Sequence, residues 1–305
     1  EMLRSLVGSE MCIRDSCMTK HRFKSKTLPA ISMVGPVTIW LLVFVAAPLV
    51  YVFIMSFCGL DEFYNVSYHF TLNNYKRLAD SNYVDIYLHS LIIALTTTVV
   101  CILLAYPFAY IIARTKSKRK NLLYMLVIIP FWTNSLIRIY GWRSLLGTNG
   151  WINTFLMNLH LISEPIDFLY KQGTTIFGMV YCLFPFMVLP LYTAIEKLDG
   201  SLLEASADLG AKRPKTFFNV ILPLTSGGIF SGSIMVFIPC LGYFFVADIL
   251  GGGNSDVIGN LVERQFQSGN NWPLGAALSI ILILVTLILV KIYQKLGGDM
   301  DSLGV

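Results

Sequence analysis

Six apolar runs, each about as long as a lipid bilayer is thick, leave this chain few ways to fold. A hydrocarbon core about 30 Å thick needs roughly 20 apolar residues in a helix. Positions 31–57, 86–113, 122–142, 175–195, 220–247 and 274–293 each supply such a run. Backbone N–H and C=O groups in lipid must find partners within their own segment, so each run is expected to be helical. The predicted fold class is therefore an all-α membrane protein with six transmembrane helices. Composition agrees, because only 13% of the 305 residues are charged, about half the share in a soluble domain. The net charge of +5 is gathered in short clusters between the runs, which reports topology rather than a nucleic-acid surface. Cys12, Cys17, Cys58, Cys101, Cys182 and Cys240 are scattered without a C-x-x-C pair, so neither a disulfide framework nor a zinc site is indicated.

Lys and Arg near span ends favour the cytoplasmic side. They concentrate in the tail before the first run (Lys20, Arg22, Lys24, Lys26), in the 114–120 loop (Arg114, Lys116, Lys118, Arg119, Lys120) and in the 196–219 loop (Lys197, Lys212, Arg213, Lys215), with Lys291 and Lys295 after the last run. The alternate loops hold fewer: Lys76, Arg77, Arg143, Lys171 and Arg264. Both termini are thus expected in the cytoplasm. Residues 1–17 contain no signal-peptide pattern and are expected to be a non-native or disordered extension. A basic cytoplasmic tail (18–30), the six-helix domain (31–295) and a cytoplasmic tail (296–305) complete the expected organisation. Trp40, Trp132, Trp142, Trp151 and Trp272 are expected mainly as interface anchors. A short outer helix is expected from position 151, on Ile152, Phe155, Leu156 and Leu159.

The chain carries no chemistry of its own. It has no G-x-x-x-x-G-K-[ST] phosphate cradle, no H-E-x-x-H helix and no G-x-S-x-G elbow, and His21, His69, His89 and His160 are far apart. No catalytic residue, metal site or cofactor is expected on this chain, and a separate subunit must supply any energy used.

The loop at 197–223 is the most informative stretch. Ser201 and Glu204 match an S-x-x-E capping box. Leu202, Ala205, Ser206 and Leu209 then fall on one helical face before Gly210, a natural stop. Lys212, Arg213 and Lys215 are expected to complement the helix end, where Pro214 prevents continuation. A face of two leucines on small side chains can enter a groove on a partner.

Glu204-Ala205-Ser206, Gly210 and Leu222-Pro223 resemble the EAA loop of permease subunits in ATP-binding-cassette importers, with the small departures of Ser206 for Ala and Val220 for Ile. In that family the loop helix docks into the ATPase, which assigns coupling to Ser201, Leu202, Glu204, Ala205, Ser206, Leu209 and Gly210. Pro130 to Gly141 (PFWTNSLIRIYG), Leu183 to Leu191 (LFPFMVLPL) and Ile195 to Asp199 (IEKLD) look more closely like the PotB-type spermidine/putrescine permeases, of MetI-like type I importer fold. The resemblance implies a bacterial inner-membrane heterodimer with a PotC-like permease, two PotA-like ATPases holding ATP and Mg, and a PotD-like periplasmic binding protein.

A polyamine is a flexible polycation, suited to carboxylates, carbonyls and aromatic faces. Candidates for its route are Trp132, Asn134 and Tyr140 in the third span and Tyr243, Phe244 and Asp248 in the fifth. Pro130, Pro239 and Gly242 are expected to interrupt those spans where a cavity needs polar lining. Arg138 would repel a polycation, so it is expected to snorkel or to form a structural ion pair with an acid such as Asp248. The alternatives are a permease of the same architecture for iron or sulfonate/phosphonate, an ATPase-independent channel, and a membrane-embedded enzyme. The last would need a cluster of titratable residues at mid-depth, of which the apolar runs supply too few.

Overall fold

The computed structural model describes residues 27–295 apart from 62, 64, 116 and 254. The expected 1–17 extension, most of the basic tail and the 296–305 tail lie outside the described residues. In chain order the longer helices are α1 (Val34–Met55), α2 (Ser81–Arg114), α3 (Ser117–Ile128), α4 (Ser135–Leu146), α5 (Trp151–Asn158), α6 (Gln172–Glu196), α7 (Gly200–Asp208), α8 (Ser226–Gly242), α9 (Ile258–Gln267) and α10 (Trp272–Lys295). A small antiparallel hairpin, β1 (Gly59–Leu60) with β2 (Val66–Ser67), follows α1.

Four helices are long and apolar enough to cross a bilayer alone, and two bent pairs bring the number to six if each pair is one span. The third and fifth expected spans are therefore not single rods. In the third, Arg119–Trp132 meets Ser135–Asn158 at 92°. Pro130 sits in a tight turn, Ile129–Trp132, after which Thr133 is extended. Asn134 then starts α4, its side-chain oxygen accepting from the Leu136 amide at 2.8 Å, and so satisfies a donor that lipid could not. In the fifth, Arg213–Leu224 meets Ser226–Gly242 at 64°. The hinge is Thr225, whose hydroxyl bonds the Ile221 carbonyl and the Tyr106 hydroxyl, each at 2.8 Å. This break was not expected from Pro239 and Gly242. Pro239 lies inside α8, whereas Gly242 does end it.

The described residues up to 52 and those from 53 onward form two compact units. Within the second, α2, α6 and α8 make the central bundle, burying Ile93, Cys101, Met179, Leu183, Met187, Val236 and Leu241. Small residues let α8 approach α6: a Cβ on Gly228 would lie 2.9 Å from the Pro190 carbonyl, and one on Gly232 would lie 2.6 Å from the Met187 sulfur. Such close backbone contact is how helices associate where lipid removes the hydrophobic incentive. Hydroxyls in the spans bond their own helix, as in Thr98 to Ala94 and Ser231 to Gly227. Trp142 packs edge-on to Phe177 and Tyr181.

Candidate functional site

One end of the bundle is built around α7, which follows α6 after a short turn. Its cap is Asp199, not Ser201: the carboxylate accepts from the Ser201 amide at 3.0 Å, and the helix begins at Gly200. Both residue types cap well, and the expected capping box mistook the second good acceptor for the first. The Ser201 amide, helped by its hydroxyl, holds the Asp199 carboxyl below the usual carboxylate range. Gly210 ends the helix as expected, at φ 74°. The Gly210 amide reaches Ala207 O at 2.8 Å and the Ala211 amide reaches Ser206 O at 3.1 Å, the paired bonds of a Schellman stop.

The expected docking face is only partly free. Leu209 is 89% and Leu202 45% exposed, and Ser201, Glu204 and Ala205 are also exposed. Ser206 is buried and shares a 2.8 Å hydrogen bond with Thr216, so it fastens α7 to the following segment instead of facing outward. Leu203, on the opposite flank, packs against the main core. Lys212, Arg213 and Lys215 do not cap α7. They belong to the next helical turn, Arg213–Thr216, with Lys212 as its cap and Pro214 within its first turn. A groove of about 570 Å³ runs beside α7, between Leu203, Ala207, Pro214 and Phe217.

Farther along, the helical turn Ala247–Gly251 carries Asp248. The Asp248 carboxylate accepts from the Asn260 amide at 2.7 Å, and its side chain is 42% exposed. Asn260 also donates to Phe244 O and accepts from the Val257 amide, both at 3.0 Å. One buried amide thereby joins Phe244 and Asp248, two of the candidate pathway residues. Tyr243 stands beside them, its ring 5.0 Å from that of Phe245. The helix bearing Tyr140 packs on the Asp248 turn, while Tyr140 and Trp132 are 54% and 85% exposed. Asn134 has its oxygen committed to the α4 cap.

Arg138 and Asp248 are not paired. Among the described residues the cation near Asp248 is Arg264, at 4.0 Å, and Arg264 holds Asp256 in a two-pronged contact of 2.5 and 2.9 Å. The Arg138 guanidinium lies over the Phe131 and Tyr181 rings, 5.4 Å from each centroid. It borders an otherwise apolar cavity of about 330 Å³ that includes Leu104, Phe108, Phe131 and Phe184. Two ring faces stand against the charge where an outward reach or a pairing acid was expected, and the buried Nε has no hydrogen-bond partner. Sequence reasoning missed Asn260 and Arg264 as neighbours of Asp248 because Asp248 lies across the Gly251–Gly253 turn from both, outside any helical spacing.

No group of three or more metal-ligating side chains occurs among the described residues. The arrangement offers an exposed edge of α7 at Leu202 and Leu209 and a half-exposed Asp248 carboxylate held by Asn260.

The family described as binding-protein-dependent transport system inner membrane component matches residues 102–298. The spermidine/putrescine transport system permease protein PotB of Salmonella typhimurium (strain SL1344) is 44% identical over 276 residues, covering 90% of this chain and 95% of that protein. Its namesake in Escherichia coli (strain K12) is 45% identical over 263 residues, covering 86% and 96%. The fold is similar to a chain of the bacterial alginate ABC transporter solved with an alginate pentasaccharide-bound periplasmic protein. There the TM-score is 0.72 at 18% identity, covering 89% of this chain and 96% of that one.

Proposed function

The chain belongs to the binding-protein-dependent transport system inner membrane components, and from that premise we propose that it is the permease subunit of an ATP-driven spermidine/putrescine importer. The observation that carries the substrate is its likeness along nearly the whole chain to permeases named for spermidine and putrescine. In this reading it sits in the bacterial inner membrane with both termini in the cytoplasm and provides half of the path beside a PotC-like permease. A PotD-like binding protein docks on the outer loops. A pair of PotA-like ATPases, which hold ATP and Mg, grips the exposed edge of α7.

The chain's own part is mechanical and electrostatic. Asp199 and the Gly210 turn keep α7 a rigid unit, so ATPase closure moves it whole and the two permeases rock between outward and inward openings. On the outer side Asp248, half-exposed and oriented by Asn260, offers its carboxylate to an ammonium group. Tyr243, Phe244, Trp132 and Tyr140 offer ring faces to the cation and to its methylene spacers. Asn134 builds the corner in the route instead of holding cargo.

The test is uptake of labelled spermidine and putrescine into vesicles containing all four kinds of subunit. Uptake that needs ATP and resists competition by iron complexes, sulfonates and phosphonates supports the assignment. Flux without nucleotide would make the complex a channel, and carriage of a competing solute alone would assign a different cargo.

A further inference from the structure

The inner end of α3 is held by two rungs. On α3, Lys120 and Tyr124 are four residues apart, and on α6 so are Tyr192 and Glu196, which puts each pair on one helical face. Lys120 Nζ forms an ion pair with Glu196 Oε1 and also sits 5.4 Å from the centroid of the Tyr192 ring. The Tyr124 and Tyr192 rings are 5.0 Å apart. The Lys120 side chain is only 19% exposed, against 44% for Glu196, so the ring covers the cation and leaves its acidic partner nearer the water.

The position of this cluster gives it meaning. Glu196 is the last residue of α6, and Asp199, three residues on, is the α7 cap. Lys120 lies on the inner arm of the span that turns 92° after Trp132. Much of that arm is otherwise uncovered, with Leu122, Met125 and Leu126 each more than half exposed. An ionic rung and an aromatic rung therefore join the foot of a lightly held half-span to the root of the docking helix.

We propose that Lys120, Tyr192 and Glu196 are positioning residues that transmit movement of α7 to the inner arm of the third span. The proposal rests on the transport function above and adds the route by which motion at α7 reaches the path. The pair stays closed while α7 is in one setting and is pulled apart in the other. Breaking it permanently lets the ATPases cycle without moving the arm in step.

The test uses the complete complex in vesicles and reads ATP hydrolysed per solute transported, with whichever solute the wild-type complex carries. That choice separates failure of the polyamine assignment, which the wild type alone reveals, from failure of the latch. Lys120→Gln and Glu196→Gln should each raise the ratio about two- to fivefold, the factor one exposed ion pair sets in a two-state equilibrium. Lys120→Arg, and the charge swap Lys120→Glu with Glu196→Lys, should restore it. A purely structural pair would lower complex yield and leave the ratio alone. The proposal is overturned if the single variants keep the wild-type ratio, or if the swap does no better than they do. Should a single variant fail to assemble, the Lys120→Arg and swap ratios decide the matter.

Discussion

Replacing Leu209 by alanine isolates the docking face of α7 from its structural role. The side chain is 89% exposed in the isolated chain, so almost all its surface is available to be buried by an ATPase. Leu→Ala removes roughly three carbon groups at about 0.8 kcal/mol each, or about 2.4 kcal/mol. At 1.4 kcal/mol per factor of ten this is about a fiftyfold loss in affinity. Leu202, 45% exposed, has about half as much surface left to cover, and its alanine variant should lose about sevenfold by the same scale. Ser206→Ala sits on the other side of the division. It deletes the bond to Thr216, costs the permease roughly 1 kcal/mol of stability, and leaves docking within about twofold, since the lost bond lies inside the chain. Titrating the solubilised permease pair with labelled ATPase subunits, alongside thermal unfolding of the permease alone, measures both quantities. The expected order of affinity loss is Leu209, then Leu202, then Ser206. An unchanged affinity for Leu209→Ala, or a larger loss for Ser206→Ala, would refute the assignment of the outward edge.

Asp199→Ala should fray the start of α7 by removing its cap, and Asp199→Asn should largely restore it. Faster amide exchange confined to the first turn of α7 is the readout. Because the folded carboxyl titrates below its unfolded value, the cap's contribution is present above roughly pH 4 and is lost as pH falls through the folded value. The same exchange should therefore appear in the wild-type chain on acidification. Gly232→Val should force α8 away from Met187 and cost about 1–3 kcal/mol, seen as a lower Tm in detergent, whereas Gly227→Ala, with nothing within 4 Å of the added carbon, should leave Tm unchanged. Asp248→Asn should raise the KM for polyamine with little change in complex yield, and an unaltered KM would remove Asp248 from the path.

How much of this was legible beforehand divides along a physical line. The spans were, because hydrocarbon thickness and backbone satisfaction act on composition alone. So was the stop at Gly210, since few residues other than glycine take φ 74° without strain. The start of α7 was not, because Asp199 and Ser201 are both good acceptors two residues apart and only the backbone decides between them. Pairings across the fold were the least accessible: Asp248 finds Asn260 and Arg264, Glu196 finds Lys120, and Arg138 finds two rings. Periodicity says which face a residue occupies and nothing of what stands opposite. The hinge at Thr225 was hidden for the same reason, its bond to Tyr106 spanning 119 positions.

The corner after Trp132 divides a crossing that one straight rod could have made. A rod pushed at its foot must carry its far end along, so the entrance and the exit would move together. Two arms meeting at Thr133, each with its own polar closure, uncouple those ends. A bend of 92° with one arm seated against the Asp248 turn leaves the other arm free of that seat, so a door on one side need not unlatch the other.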